Sequence, residues 1–155
     1  WYRKSAEQGN AQGQFCLGSC YEDGDGIEAD AKMAVHWYRK AAERGYEVAQ
    51  YCLAHCYEHG NGVNKDVKMA VHWYRKAAEQ GYDEAQTYLG NCYEHGKNVA
   101  TDAKMAVYWY RKAAEQGHEK AQLLLGYCYT RGIGVEKDLQ MAAYWYQMAE
   151  EAQAY

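Results

Sequence analysis

Four side chains in one short stretch could bind a metal ion: Cys52, His55, Cys56 and His59. They stand at i, i+3, i+4 and i+7, so a helix would place them on successive turns of one face. Two thiolates and two imidazoles are a donor set that tetrahedral zinc accepts. A single straight helix, however, rarely wraps four ligands around one ion, and both cysteines belong to an apolar stripe that must be packed. We therefore predict that the chain holds no metal and no other cofactor.

Covalent chemistry has little support among the other residues. Ser5 and Ser19 are the only serines, and neither stands in a strained turn beside a recognisable histidine and acid. The GDG and GNG segments at 24–26 and 60–62 lack the lysine and the serine or threonine of a phosphate-binding loop. His36 and His72 occupy polar positions that favour simple solvation. The chain is therefore predicted not to be an enzyme.

A repeat of 36 residues organises the sequence. WYRK begins at Trp1, Trp37, Trp73 and Trp109, and its variant WYQM begins at Trp145. The 155 residues thus hold about four units. A unit of this size built from two helices cannot bury its apolar face alone, so each unit needs a neighbour.

Each unit contains two apolar stripes with helical spacing, which are clearest in the second. The first stripe predicts a helix, which we name helix A, and the second predicts helix B. Gly60 ends helix A, Asp66 stands where the N-cap of helix B belongs, and Gly81 ends helix B. Such short links make the two helices antiparallel neighbours. Helix A carries Ala49, Cys52, Leu53, Cys56 and Tyr57, and helix B carries Ala70, Trp73, Tyr74, Ala77 and Ala78.

These patterns predict an all-α fold, an α-solenoid of stacked antiparallel helix pairs forming a single repeat domain over 1–155. Residues 1–9 would be helix B of a truncated preceding repeat, and the full repeats would span 10–45, 46–81, 82–117 and 118–155. The last repeat is interpreted as an end cap, since Glu150 replaces a packed alanine and Gln153 replaces the stop glycine. Because the chain starts within a helix B, we expect it to be an excerpt of a longer array. Gly13, which stands where other units have alanine, is expected to weaken the first helix A by about 1 kcal/mol.

The repeat resembles the Sel-1-like repeat, a longer relative of the tetratricopeptide repeat. The shared pattern is AQxxLGxxYxxGxGVxxDxxxAxxWYxKAAxxG. The fourth unit matches it at Ala121, Gln122, Leu125, Gly126, Tyr129, Gly132, Gly134, Val135, Asp138, Ala142, Trp145 and Tyr146. The resemblance covers nearly the whole chain and implies an α-solenoid that acts as an adaptor or scaffold for protein complexes.

The cysteines are predicted to remain thiols. Four cysteines recur one repeat apart: Cys20, Cys56, Cys92 and Cys128. If the helices A of successive repeats are neighbours, equivalent cysteines lie about 8 to 10 Å apart, which is too far for a disulfide. A cysteine-rich bacterial branch of the family joins helix B to the next helix A by disulfides, but its helix B position is occupied here by Ala42, Ala78 and Ala114. The β-lactam binding attributed to that branch is therefore not carried over. Reduced thiols favour an intracellular compartment.

Charge and hydropathy narrow the classes of partner. The net charge is -4, with 17 basic and 21 acidic residues, which disfavours nucleic acid. No segment reaches the roughly 18 consecutive apolar residues of a membrane span, so none is predicted.

The remaining hypothesis is binding of another protein or peptide on the inner surface of the superhelix. If tetratricopeptide geometry applies, that surface consists of helix A positions that point away from helix B, in three rows spaced i, i+4 and i+7. Aromatic groups beside a glutamate row would suit a peptide with basic and apolar side chains. Alternatives are that these residues are merely solvated, that the chain self-associates through its repeat ends, or that it is a hydrolase of cell-wall or β-lactam substrates. The rows are Phe15, Tyr51, Thr87 and Leu123, then Ser19, His55, Asn91 and Tyr127, then Glu22, Glu58, Glu94 and Thr130.

Overall fold

Helices follow one another along the whole of the computed structural model, which describes residues 1–154. Within these residues there is no β-strand, as the sequence predicted. The helices are α1 (Tyr2–Glu7), α2 (Ala11–Asp23), α3 (Ala31–Glu43), α4 (Glu47–His59), α5 (Val67–Glu79), α6 (Asp83–His95), α7 (Ala103–Glu115), α8 (Glu119–Arg131) and α9 (Leu139–Gln153). Helices α2, α4, α6 and α8 are the helices A, and α1, α3, α5, α7 and α9 are the helices B.

The chain divides into two compact units, residues 1–80 and 81–155. In unit 1, each of the helices α1 to α5 packs against the next one along the chain, and in unit 2 the helices α6 to α9 do the same. Helix pairs are antiparallel, since Gln50 near the start of α4 contacts Gln80 just after the end of α5. Among residues 1–154, no helix is both long enough and apolar enough to cross a bilayer.

The predicted caps define the helix ends. The Asp30, Asp66, Asp102 and Asp138 side chains accept hydrogen bonds from backbone amides in the first turn of each full helix B. Each helix A ends at a glycine in the left-handed region, such as Gly60 with φ of 72°. Asn98 also takes a left-handed φ, of 61°, at a position where the other repeats carry glycine. Asparagine visits this region more readily than most residues.

A tyrosine of helix B packs directly on the helix A backbone of its own repeat. A Cβ atom added to Gly90 would lie 2.5 Å from the ring of Tyr110, and one added to Gly18 would lie 2.8 Å from the ring of Tyr38. An alanine at Gly18 or Gly90 would therefore require the tyrosine ring to shift, because atoms cannot approach so closely. The second repeat carries Ala54 at this position, fully buried.

Gly13 is explained by the same kind of close approach, which corrects the expected loss of stability. A Cβ atom at Gly13 would lie 2.6 Å from the hydroxyl oxygen of Ser5 on α1. In the next repeat the equivalent residues are Ala41 and Ala49, both fully buried. The larger serine is thus accommodated by the smaller glycine, and an alanine at position 13 would collide with it.

A row of buried glutamines links helices, a feature that the sequence analysis missed. The side-chain amides of Gln14, Gln50 and Gln122 donate hydrogen bonds to carbonyl oxygens near the end of the preceding helix B. In the second repeat, Gln80 also donates to Oε1 of Gln50, at 2.6 Å. Each helix end therefore gains a fixed polar contact inside the core.

Candidate functional site

The three predicted rows lie on the helices A, and their side chains differ widely in accessibility. Glu22, His55, Leu123 and Tyr127 are exposed, whereas Glu58 and Thr87 are buried. The others are half-buried. The rows therefore do not form one uniformly accessible surface within either unit.

The glutamate row is held by helix B rather than pointing away from it. The hydroxyl of Tyr38 donates to Glu22 Oε2 at 2.5 Å, and that of Tyr110 donates to Glu94 Oε2 at 2.6 Å. Burial, followed by the bonded carboxylate, raises the pKa of both tyrosines far above the usual value. One oxygen of each of these carboxylates is thus committed to packing within its own repeat.

The second repeat makes the same contact with a more deeply buried acid. Tyr74 donates to Glu58 Oε2 at 3.0 Å, and Glu58 is 8% exposed. In the fourth repeat Thr130 replaces the acid, and its hydroxyl lies 3.4 Å from that of Tyr146. A signal for these pairs exists in the sequence, since acid and tyrosine are 16 residues apart in three successive units.

Aromatic side chains of the first row also contact helix B. The ring of Phe15 stacks on Tyr38 with centroids 5.8 Å apart, and it meets Tyr46 edge-on at 5.4 Å. Tyr51 contacts Tyr74 in the same edge-on manner, at 5.4 Å. The expectation that these positions point away from helix B is therefore wrong for unit 1. Part of the surface of the Phe15 and Tyr51 rings is covered by these intramolecular contacts.

In unit 2 the first row divides between a buried and an exposed residue. The Thr87 hydroxyl donates to the carbonyl of Asp83 at 2.9 Å and lies 3.1 Å from His118 Nδ1. Leu123, one repeat later, is 41% exposed. An apolar contact surface in this unit can therefore include Leu123 but not Thr87.

The second row is polar except on α8. Ser19 and Asn91 are polar side chains close to the hydroxyls of Tyr38 and Tyr110, and each partly offsets the rise in the pKa of its tyrosine. His55 packs against His59, with ring centroids 4.2 Å apart. Tyr127 is 43% exposed, and the guanidinium carbon of Arg131 lies 5.9 Å from its ring centroid. Leu123, Tyr127 and Arg131 therefore form a stripe along α8, which we name the α8 stripe.

The thiols differ in burial and in ionisation. All six cysteines lie in the described chain and are thiols rather than disulfides. Burial, and then the Glu22 carboxylate, raises the pKa of Cys56 to about 11. Burial and the Glu94 carboxylate raise the pKa of Cys128 to about 12. Neither thiol is suited to act as a nucleophile, because the thiolate is the reactive form.

The four candidate zinc ligands weighed above, Cys52, His55, Cys56 and His59, are not assembled as a ligand set. His59 Nδ1 lies 3.0 Å from the carbonyl oxygen of His55, and Cys56 is 3% exposed within the core. Among residues 1–154, no three histidine, cysteine or acidic side chains are grouped as a metal site requires. The arrangement of residues 52–59 is thus accounted for by packing and by helix-surface contacts.

Comparison with known proteins identifies the repeat. The model of the Sel1 repeat matches residues 1–10, 11–46, 48–82, 83–118 and 119–153. The chain belongs to the Sel1 repeat family. Sel1 repeat proteins are generally protein-interaction scaffolds and typically lack enzymatic activity. No curated protein matches this chain.

Solved Sel1 repeat structures share its fold. A Sel1 repeat protein from Oxalobacter formigenes is 41% identical with a TM-score of 0.94, over 97% of this chain and 44% of its own. The protective antigen c5321 from uropathogenic Escherichia coli, which displays an SLR fold, is 42% identical with a TM-score of 0.92, over 97% and 32%. The Helicobacter pylori cysteine-rich protein B is 29% identical with a TM-score of 0.62, over 80% and 89%. This chain therefore spans less than half the length of the first two.

Proposed function

We propose that this chain is a non-enzymatic module that binds another protein, and that the α8 stripe is a principal contact. The observation that carries the proposal is the exposure of Leu123 and Tyr127, one turn apart on the same helix. Neighbouring Leu125 is fully buried, so the other side of α8 is packed into the core. A large aromatic group beside an arginine is typical of residues that contribute strongly to protein interfaces.

The chemistry of the stripe suggests the kind of segment it binds. Leu123 and the Tyr127 ring offer apolar area, and Arg131 offers hydrogen-bond donors and a positive charge at its end. A helical or extended peptide with one large apolar side chain followed by an acceptor would match this order. In unit 1, the exposed Glu22 and His55 make the corresponding rows polar, and a basic partner segment would suit them.

The test is a comparison of partner recovery by variants of the purified chain. Proteins captured by the immobilised native chain would be identified by mass spectrometry, then measured against Leu123→Ser plus Tyr127→Ser. We expect recovery of the specific partner to fall at least about tenfold, because two apolar anchors are lost. Leu139→Ser is the matched control, since Leu139 is 62% exposed and lies outside the stripe. Unchanged recovery with the double variant would argue against the stripe.

Self-association, the alternative predicted from the repeat ends, is separated from partner binding by light scattering. A monomer at high concentration would count against it. A dimer whose dissociation constant is unchanged in the double variant would assign self-association to another surface.

A further inference from the structure

Unit 2 contains a surface pocket on the helix B side, separate from the α8 stripe. Its volume is about 520 Å³. It lies between α7 and the loop that follows α8. We name it the basic pocket; its main lining residues are Lys104, Val107, Tyr108, Arg111, Lys112 and Val135.

The loop wall of the pocket is held against α7 by a backbone contact. A Cβ atom added to Gly134 would lie 2.2 Å from the carbonyl oxygen of Ala103, at the start of α7. Gly134 also has a φ of 67°, in the left-handed region. Only glycine fits both demands. The adjacent Val135 on the loop and Val107 on α7 both line the pocket and supply apolar surface to it.

Charge is concentrated at this pocket with the sign opposite to that of the whole chain. Lys104, Arg111 and Lys112 line it with one acid, Glu115, although the chain carries a net charge of -4. Arg111 is oriented by a hydrogen bond from its Nη2 to the Tyr129 hydroxyl, at 2.7 Å. The pocket thus offers three cations, one of them held in place.

An exposed aromatic ring lies beside these cations. Tyr108 is 46% exposed, and the Lys112 ammonium lies 5.2 Å from its ring centroid. The ring also meets Trp109 edge-on at 5.0 Å, which limits its motion. Apolar and cationic groups therefore face the same solvent-filled space.

We propose that the basic pocket is a second binding site, which takes an acidic peptide segment with an aromatic side chain among its carboxylates. The carboxylates pair with Lys104 and Lys112, and the aromatic side chain lies against Tyr108 and the two valines. A pocket of this size admits one large side chain and its neighbours. Extended polyanions such as nucleic acid fit less well, because the net charge of the chain repels them.

Unit 1 provides an internal control for this site. Lys32, Val35, Arg39 and Lys40 repeat the residues of the basic pocket, but the equivalent of Tyr108 is His36. The Lys40 ammonium lies over Trp37, 5.0 Å from its ring centroid, instead of over the residue at position 36. The exposed tyrosine and the lysine above it are therefore what distinguishes unit 2.

The probe is a fluorescein-labelled peptide with phenylalanine at its centre and two glutamates on each side, titrated by fluorescence anisotropy. Saturable binding is expected, and Lys104→Glu plus Lys112→Glu should weaken it at least about tenfold. Lys32→Glu plus Lys40→Glu in unit 1 changes the net charge equally and should leave the affinity within about twofold. Melting curves by circular dichroism would show that both variants fold.

Further variants test the aromatic part of the site. Tyr108→His gives unit 2 the residue of unit 1 and should weaken binding about tenfold, to the level expected of the equivalent residues in unit 1. A peptide with alanine at its centre should bind at least about tenfold more weakly. Equal affinity for the two peptides, equal weakening by the two charge reversals, or no saturable binding up to about 1 mM peptide would each overturn the proposal. Leu123→Ser plus Tyr127→Ser should leave the peptide affinity unchanged, which separates this site from the α8 stripe.

Discussion

On the outward side of helix B, unit 1 carries His36 and His72 where unit 2 carries Tyr108 and Tyr144. The tryptophan that follows each of these residues is instead the same in both units, and each ring contacts it edge-on. The two units thus share packing residues and differ in what they expose. A position with neighbours on all sides tolerates few side chains, whereas an exposed one is free to acquire a binding role.

The helix A side shows the same contrast. In unit 1, Phe15 and Tyr51 lie half-buried against tyrosines of helix B. In unit 2, Leu123 and Tyr127 are exposed. Among these helix A positions, the exposed apolar side chains therefore lie in unit 2.

The largest expected difference between the units is in thiol reactivity. At pH 9 about one hundredth of Cys56 and one thousandth of Cys128 would be ionised, given pKa values of about 11 and about 12. We expect iodoacetamide to modify the partly exposed Cys16, Cys20 and Cys52 of unit 1 well before the buried Cys92 and Cys128 of unit 2. Peptide mass spectrometry over time measures this order. Equal rates for Cys52 and Cys128 would contradict it.

The same pKa shifts predict how stability depends on pH. Because the folded-state pKa values of Cys56 and Cys128 lie above 9.0, unfolding at higher pH releases protons. Their stabilising contribution is complete below pH 9 and should be lost progressively up to about pH 11 to 12. Urea denaturation at several pH values would measure this loss.

Gly62→Ala and Gly134→Ala should destabilise the two units alike, by about 3 kcal/mol or more. In each case a Cβ atom would lie 2.2 Å from a backbone carbonyl oxygen, and φ is 67°. Gly26→Ala is the matched control, with φ of 71° and no heavy atom within 4 Å, and should cost about 1 to 2 kcal/mol. Urea denaturation measures all three. A Gly62→Ala cost no larger than the control would refute the close contact.

Replacing a tyrosine that is bonded to an acid should cost more than replacing one that is not. Tyr110→Phe leaves the Glu94 carboxylate without its partner and should cost about 2 kcal/mol, with Tyr38→Phe similar in unit 1. Tyr146→Phe removes only a 3.4 Å contact with Thr130 and should cost about 0.5 kcal/mol. Thermal unfolding measures the series. Equal losses for positions 110 and 146 would show that the acid contributes nothing.

The smallest expected effect concerns the buried glutamines. Oε1 of Gln14 is buried without a hydrogen-bond partner. In the next repeat, the equivalent oxygen of Gln50 accepts a hydrogen bond from Gln80, but the residue equivalent to Gln80 is Arg44. Arg44→Gln should therefore add about 1 kcal/mol to the stability of unit 1, and Gln80→Arg should remove a similar amount. Chemical denaturation of the two variants tests whether the two substitutions change the free energy of unfolding in opposite directions. Destabilisation by Arg44→Gln would contradict the assignment.

Residue spacing predicted much of the fold, but it predicted the candidate site only in part. Asp66 and Gly60 marked helix ends because capping is a local interaction between residues close in the chain. The bond between Glu58 and Tyr74 was missed because the direction of a side chain depends on how two helices pack. Gly13 was misinterpreted for the same reason, since its size is matched to Ser5 on another helix.

The sequence by itself determined the period of 36 residues, the helix caps, the antiparallel pairs and the apolar stripes, because these depend on local backbone preferences and on repetition. Only the tertiary structure decided which helix A side chains remain accessible. It also grouped Tyr108 with Val135 from a different repeat. Both outcomes depend on atomic contacts between helices that are distant along the chain, and a single sequence does not specify such distances.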